Sequence, residues 1–305
     1  MSVPVVNLEH VTKQFTLRKV KSLKESAFAL ARGQGSRERF TALDDVSLTI
    51  NAGDSLGLVG PNGSGKSTLL HLIAGLITPT SGHIERLGPP ERASRGGPAY
   101  VLQSQHMSPH LPVTAREIVS LGVAPSVGPF GRIGRAERRR IDDAMERLEI
   151  SDLANRHVSH MSGGQRQRVL IAQGLAQGAN MLLLDEPVAG LDIASIAAIR
   201  RVIDAERDAG RTVIVATHDL AEAAAADHAV LLDGCVIASG SPREVLTPAN
   251  LREAYHGRLL DLDGVAVALD DGAHHAHDQG TSGHSHDHDT HPETHHHQHR
   301  PPNQN

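Results

Sequence analysis

Nine consecutive residues, Gly60-Pro61-Asn62-Gly63-Ser64-Gly65-Lys66-Ser67-Thr68, restrict this chain more than anything else in its 305 residues. The glycines let the main chain turn its N–H groups inward, toward phosphate oxygens, where a Cβ would obstruct them. Lys66 adds a positive charge suited to β- and γ-phosphates. The Ser67 hydroxyl is a hard oxygen ligand of the kind Mg²⁺ takes. A helix starting at Ser67 adds its positive end. The pattern G-x-x-x-x-G-K-[ST] carries this meaning only between a strand and a helix. Both are expected: Ser55–Val59 reads as a strand after an Asn51-Ala52-Gly53-Asp54 turn, and Ser67–Ile77 reads as a helix closed by Thr78-Pro79-Thr80-Ser81-Gly82. Gly60, Asn62, Gly63, Ser64, Gly65, Lys66, Ser67 and Thr68 are therefore the candidate phosphate-binding residues.

The rest of the chain supplies the sheet that such a loop needs. Val3–Val11 and Val46–Ile50 read as strands. Met181–Leu184 and Thr212–Ala216 are short apolar runs of the kind found in buried parallel strands. Helical stretches around 164–178 and 193–209 alternate with them, so the fold class is α/β, a P-loop NTPase with a sheet covered on both faces. Apolar residues make up 39% of the chain, enough for a sizeable core, and no long internal repeat is visible. Aromatics are 2% and Trp is absent, which excludes a single-strand nucleic-acid binder built on stacking. The net charge of −5 gives no general attraction to DNA or anionic lipid. Cys235 is the one cysteine, so no intrachain disulfide is expected. No run approaches the roughly 18 apolar residues of a membrane span. The opening MSVPVVNLEH is not expected to act as a secretory signal. A soluble chain that meets a membrane only through a partner is the expectation.

Two segments depart from this pattern. Residues 16–39 carry seven Lys/Arg against two Glu, a local charge of +5, with Leu17, Val20, Leu23, Ala27 and Leu30 at near-helical spacing. A short amphipathic basic insert is expected there. Residues 271–305 contain no Val, Ile, Leu, Met or aromatic residue, so they cannot bury enough apolar surface to offset ordering entropy. Residues 257–305 accordingly read as a linker and disordered tail. That tail holds His274, His275, His277, His284, His286, His288, His291, His295, His296, His297 and His299. Imidazole suits Zn²⁺ and neighbouring transition metals, and the absence of fixed spacing suggests many labile sites.

Further along lie two more groups that suit phosphate chemistry. Met181–Leu184 ends in Asp185, placed to reach Mg²⁺, and Glu186, placed to polarise a water in line with a γ-phosphate. Met161-Ser162-Gly163-Gly164-Gln165 offers a hydroxyl, two glycines and a helix N-terminus.

This last run resembles the signature of ABC-transporter ATPases, usually written LSGGQ, with Met161 for Leu. The resemblance covers about residues 3–256, read as the ATPase cassette of domain 1–256, with a mainly helical signature subdomain at about 104–160. It implies that ATP and Mg²⁺ are bound, and that Ser162, Gly163, Gly164 and Gln165 meet the γ-phosphate of ATP held by a second copy in a homodimer. It places Gln103 in the Q-loop, touching Mg²⁺ together with Ser67 and Asp185. It places Asp192 in the D-loop, where Ala189 removes a more usual hydroxyl, and His218 in the H-loop as a γ-phosphate sensor. Glu186, His218 and Gln103 are thus the catalytic candidates. Phe15 is the candidate for stacking on adenine, with Phe40 as alternative.

The cargo is open between three readings. Tyr100-Val101-Leu102-Gln103, Leu111–Val119, Gly164–Arg168, Ala172–Gln177 and the Arg-rich stretch with Arg132, Arg135, Arg138, Arg139 and Arg140 resemble ATP-binding subunits of bacterial zinc/manganese importers. That likeness implies integral-membrane permease subunits, an extracytoplasmic metal-binding protein, and a place at the cytoplasmic face of the plasma membrane. The basic insert followed by Phe40–Leu48 resembles the ATPases of polysaccharide and teichoic-acid exporters instead. A soluble ABC ATPase with a metal-buffering tail is the third.

Overall fold

The computed structural model describes residues 3–17, 38–87, 97–103, 112–128, 131–256, 259–262 and 265–268. The chain runs β1 (Pro4–Leu17), β2 (Glu38–Asn51), β3 (Ser55–Val59), α1 (Lys66–Ala74), β4 (Ser81–Arg86) and β5 (Ala99–Val101). Helices α2 (Ala115–Leu121), α3 (Ala124–Val127), α4 (Arg135–Arg147) and α5 (Gly163–Gln177) follow. Then come β6 (Met181–Asp185), α6 (Ile193–Asp208), β7 (Thr212–Thr217), α7 (Leu220–Ala224), β8 (His228–Asp233) and β9 (Cys235–Gly240). Two short helices, α8 (Pro242–Val245) and α9 (Pro248–Ala254), and a hairpin of β10 (Leu259–Leu262) with β11 (Val265–Ala268) complete it.

The central sheet has the order β5-β6-β7-β3-β8-β9. All neighbours are parallel except the β8–β9 hairpin. Its inner strands β6, β7, β3 and β8 are mostly apolar because alternate side chains feed different cores. Met181 and Leu183 of β6, with Ile214 and Ala216 of β7, pack with α1 and the strands β1 and β2. Leu182 and Leu184, with Val213 and Val215, point the other way, into the core shared with α2, α4 and α5. A third, smaller cluster joins Val59 and Leu231 to α7, α8 and α9. No helix among the described residues is long and apolar enough to cross a membrane.

A separate antiparallel sheet has the order β2-β1-β4. Both of its long strands exceed the expectation. β1 continues past Val11 to Leu17, and β2 begins at Glu38, with Leu17 opposite Glu38 and Phe15 opposite Phe40. Thr12, Lys13, Gln14 and Phe15 are half-buried or exposed, so they lack the continuous apolar run that marks a buried strand, and pairing with β2 is what extends them. Residues 18–37, which carry the expected basic helix, lie outside the described residues, as does the His-rich tail.

Helix α1 also stops earlier than Ile77. Gly75 is in the left-handed conformation at φ 76°, and the N–H groups of Gly75 and Leu76 bond back to Leu72 O at 3.1 Å and His71 O at 2.9 Å. This closure satisfies the last-turn carbonyls. Arg86 Nε reinforces it by donating to Ile73 O at 2.9 Å.

Candidate nucleotide site

The loop between β3 and α1 is squeezed from two sides. A Cβ on Gly60 would stand 2.1 Å from Leu232 O, and one on Gly65 would stand 2.6 Å from Ala42 O. Gly65 also has φ +99° and Gly63 φ +82°, conformations that L side chains resist. The turn between β8 and β9 holds the loop as well. Gly234 N–H donates to Ser64 O at 2.9 Å, and Asp44 N–H donates to Gly234 O at 2.7 Å.

Inside this clamp Lys66 is 5% exposed. Its ammonium donates to Gly60 O at 2.7 Å and to Pro61 O at 2.9 Å. A buried charge needs such partners, and they fix the loop as a ring around a cation. Ser64 Oγ is buried with no hydrogen-bond partner among the described residues. An orphaned hydroxyl and a buried ammonium in one loop, with Gly60 and Gly65 pinned where no Cβ fits, suit a phosphate. Ser67 is exposed and Thr68 half-buried at the head of α1.

Across the sheet, three candidates from separate segments meet. Glu186 follows β6 with φ 47°, and its N–H donates to Ala216 O at 2.9 Å. That strained turn swings its carboxylate between two neighbours. Gln103 Nε2 donates to Glu186 Oε2 at 3.4 Å, and His218 Nδ1 lies 3.5 Å from Glu186 Oε1. At that separation the imidazole makes an ion-pair contact when protonated, and its Nδ1 has no aligned hydrogen bond. The arrangement offers a carboxylate for a water, with an amide and an imidazole beside it.

Asp185, at the end of β6, accepts from Tyr100 Oη–H at 3.1 Å. Burial first, and then the Asp185 charge, push the Tyr100 phenol above the ordinary tyrosine range. Tyr100 therefore remains a donor that orients Asp185. Sequence reasoning missed this contact. Its signal is the register Tyr100↔Leu183, which only the paired strands disclose.

Ser162 caps α5, its hydroxyl accepting from Gln165 N–H at 3.2 Å while Gln165 Oε1 accepts from Ser162 N–H at 3.0 Å. This is a capping box. Met161 is buried, Ser162 is exposed and Gly163 is half-buried. Gly164 has no room for a side chain, since a Cβ would lie 2.3 Å from Ser195 Oγ and 2.6 Å from Asp192 Oδ2. The start of α5 and the start of α6 are thus interlocked. Asp192 caps α6 by accepting from Ser195 N–H at 2.8 Å and Ser195 Oγ–H at 2.9 Å. Those two hydrogen bonds, the backbone one first, hold its carboxyl below the usual carboxylate range.

Phe15 and Phe40 stand opposite each other across β1 and β2, so both expected aromatics belong to one exposed patch. The Lys13 ammonium lies 5.1 Å from the Phe15 ring centre. Phe40, 49% exposed, is two residues from Ala42, whose carbonyl touches the loop at Gly65. Among the described residues no group of three or more His, Cys, Asp or Glu could hold a metal ion. The eleven tail histidines fall outside them.

The chain is similar to known proteins in sequence and fold. The ABC transporter family profile matches residues 43–189. The manganese transport system ATP-binding protein MntB of Listeria innocua is 39% identical over 215 residues, 70% of this chain and 90% of its own length. The zinc transport system ATP-binding protein TroB of Treponema pallidum is 36% identical over 216 residues, 70% of this chain and 81% of its own. Among solved structures, a metal-chelate type ABC transporter in an inward-facing conformation is similar with a TM-score of 0.65 and 25% identity, covering 87% of this chain and 95% of that one. The dimeric, post-hydrolysis state of the cassette MJ0796 bound to ADP and Pi is similar with a TM-score of 0.62 and 30% identity, covering 78% of this chain and 99% of that one.

The Asp192 cap makes a pH-dependent prediction. Asp192→Ala lowers the melting temperature. Because the folded-state pKa is the depressed one, the gap from the unaltered protein is full above pH about 4. It closes only as pH falls further, through the folded-state value. Melting curves from pH 7 downward check this, and a gap that persists unchanged into strong acid counts against it.

Proposed function

The chain belongs to the ABC transporter family as an ATP-binding, ATP-hydrolysing subunit, and from that premise we propose that it drives the uptake of zinc or manganese ions. The geometry that carries the ATPase part of the reading is the meeting of Gln103, Glu186 and His218. Support for the cargo comes from the likeness to MntB and TroB and from the eleven histidines of the tail.

In this reading the backbone N–H groups of Asn62, Gly63, Ser64, Gly65, Lys66, Ser67 and Thr68, in the turn that Gly60 opens, hold the phosphates of ATP. Lys66 exchanges its contacts with Gly60 O and Pro61 O for β- and γ-phosphate oxygens. Ser64 Oγ gains the partner it lacks. Ser67, Asp185 and Gln103 hold Mg²⁺, which when bound neutralises developing phosphate charge. Glu186 accepts hydrogen bonding from the attacking water and orients it in line, and His218 contacts the γ-phosphate. The Phe15–Phe40 patch receives adenine. Ser162, Gly163, Gly164 and Gln165 of a second copy close over the γ-phosphate, with Asp192 beside them. The capping box at Ser162 opens as its hydroxyl turns from Gln165 N–H to that phosphate.

Residues 104–160 grip the permease subunits at the cytoplasmic face of the plasma membrane. An extracytoplasmic metal-binding protein delivers the ion to the same system. The tail acts as a Zn²⁺ reservoir or feedback sensor through His274–His299. Its ligands must be deprotonated, so its metal binding weakens as pH falls through about 6.5.

Glu186→Gln leaves ATP binding intact, traps a closed dimer and slows turnover by at least about a hundredfold, whereas Lys66→Ala weakens nucleotide binding itself. Turnover assays, nucleotide titrations and gel filtration with Mg·ATP check the pair, and rapid turnover by Glu186→Gln rejects its role. Deleting the gene abolishes growth under manganese or zinc starvation. Loss of surface glycan with unchanged metal requirement points to the exporter reading instead. Zn²⁺ calorimetry on the full chain and on a 1–270 truncation gives a higher stoichiometry for the full chain, and equal values reject the tail's role.

A further inference from the structure

Strand β5 is three residues long and stands at the edge of the central sheet, yet it is held along its whole length. Its parallel ladder with β6 pairs Ala99, Tyr100 and Val101 with Leu182, Leu183 and Leu184. Helix α5 clasps it from one face. Gln177 Nε2 donates to Gly97 O at 3.2 Å and to Pro98 O at 3.4 Å. Gly174 fits against Val101 because it lacks a side chain; a Cβ there would stand 2.7 Å from Val101 Cγ2. Gln167 is 1% exposed and donates to Leu102 O at 3.5 Å.

Tyr100 belongs to the opposite face. Its ring packs on the core containing α1 and meets the His71 ring edge-on, with centres 5.0 Å apart. Strand pairing and packing thus place the phenol hydroxyl, which donates to Asp185 Oδ2 at 3.1 Å. Among the described residues no other side chain donates to that carboxylate, so Oδ1 keeps its lone pairs for a hard cation. Three residues further on, Gln103 Nε2 donates to Glu186 Oε2 at 3.4 Å. One short segment therefore holds two consecutive carboxylates.

A carboxylate that ligates a metal owes its orientation to the hydrogen bonds it accepts from the surrounding protein, and losing such a donor weakens metal binding about tenfold to a hundredfold. Tyr100 is the donor of this kind at Asp185, and it sits on a strand that α5 and β6 hold from two sides, so no neighbour is placed to replace it.

We propose that Tyr100 is a positioning residue for Asp185, its hydroxyl fixing the rotation of that carboxylate and so setting how tightly the nucleotide site holds Mg²⁺. This rests on Asp185 holding Mg²⁺ as proposed above.

Titration of the full chain with Mg²⁺, saturated with the non-hydrolysable ATP analogue AMP-PNP and read by melting temperature, tests it. Tyr100→Phe keeps the ring with its packing and removes only the donor. It raises the half-saturating Mg²⁺ concentration about tenfold to a hundredfold, while the affinity for the analogue in EDTA, measured by calorimetry, stays within about twofold. Asp185→Asn raises that concentration at least as far. Adding Tyr100→Phe to Asp185→Asn raises it no further, because both changes act through one carboxylate. Tyr255→Phe, which removes the chain's other phenol hydroxyl, leaves the Mg²⁺ requirement as it was. A Tyr100→Phe protein with the original Mg²⁺ requirement overturns the proposal, as does one whose nucleotide affinity falls equally with and without Mg²⁺. An equal shift in Tyr255→Phe overturns it too. Asp185→Asn separates the two readings. An unchanged requirement there rejects Asp185 as a Mg²⁺ ligand, whereas a raised one beside an unaltered Tyr100→Phe rejects only the positioning.

Discussion

The structure depends on one buried cation in a loop where Gly60 and Gly65 have no space for a side chain. Lys66 is held by the carbonyls of Gly60 and Pro61, and desolvating its charge is tolerable only because those acceptors are placed for it. Their placement relies on Gly60 lying against Leu232 O and Gly65 against Ala42 O. The loop therefore needs β8 on one side and β2 on the other. The order β7-β3-β8 at the centre of the parallel sheet, and the approach of the antiparallel sheet through β2, follow from that need.

Around this point the two cores have different duties. The core containing α1 and the strands β1 and β2 keeps the loop in shape. The core containing α2, α4 and α5 carries Ser162–Gln165 on an exposed helix start. The contact of Gly164 with Ser195 and Asp192 joins the second body to α6, and α6 follows directly on the segment after Glu186. The start of α5 is thus in direct packed contact with the start of α6, a few residues after the carboxylate.

Much of the fold was legible because parallel strands buried on both faces leave unbroken apolar runs. Ser55–Val59, Met181–Leu184 and Thr212–Ala216 could be read for that reason. β1 beyond Val11 could not, since Lys13 and Gln14 are stabilised by pairing with β2 and not by burial. The early stop of α1 was also hidden. Leu76 and Ile77 continue an apolar pattern, and only the left-handed Gly75 with its back-bonds ends the helix.

The sequence by itself determined the chemistry available at the nucleotide site: glycines with a lysine and a hydroxyl in one contiguous loop, an aspartate and a glutamate ending one strand, and a serine with two glycines opening one helix. Such groups are local, so their order along the chain discloses them. Only the tertiary structure decided that Gln103 reaches Glu186 across 83 residues, that Tyr100 donates to Asp185 across 85, and that Phe15 faces Phe40. Those meetings are set by strand register and by how helices pack on a sheet, and these minimise exposed apolar surface over the whole chain. No short stretch of sequence contains that sum.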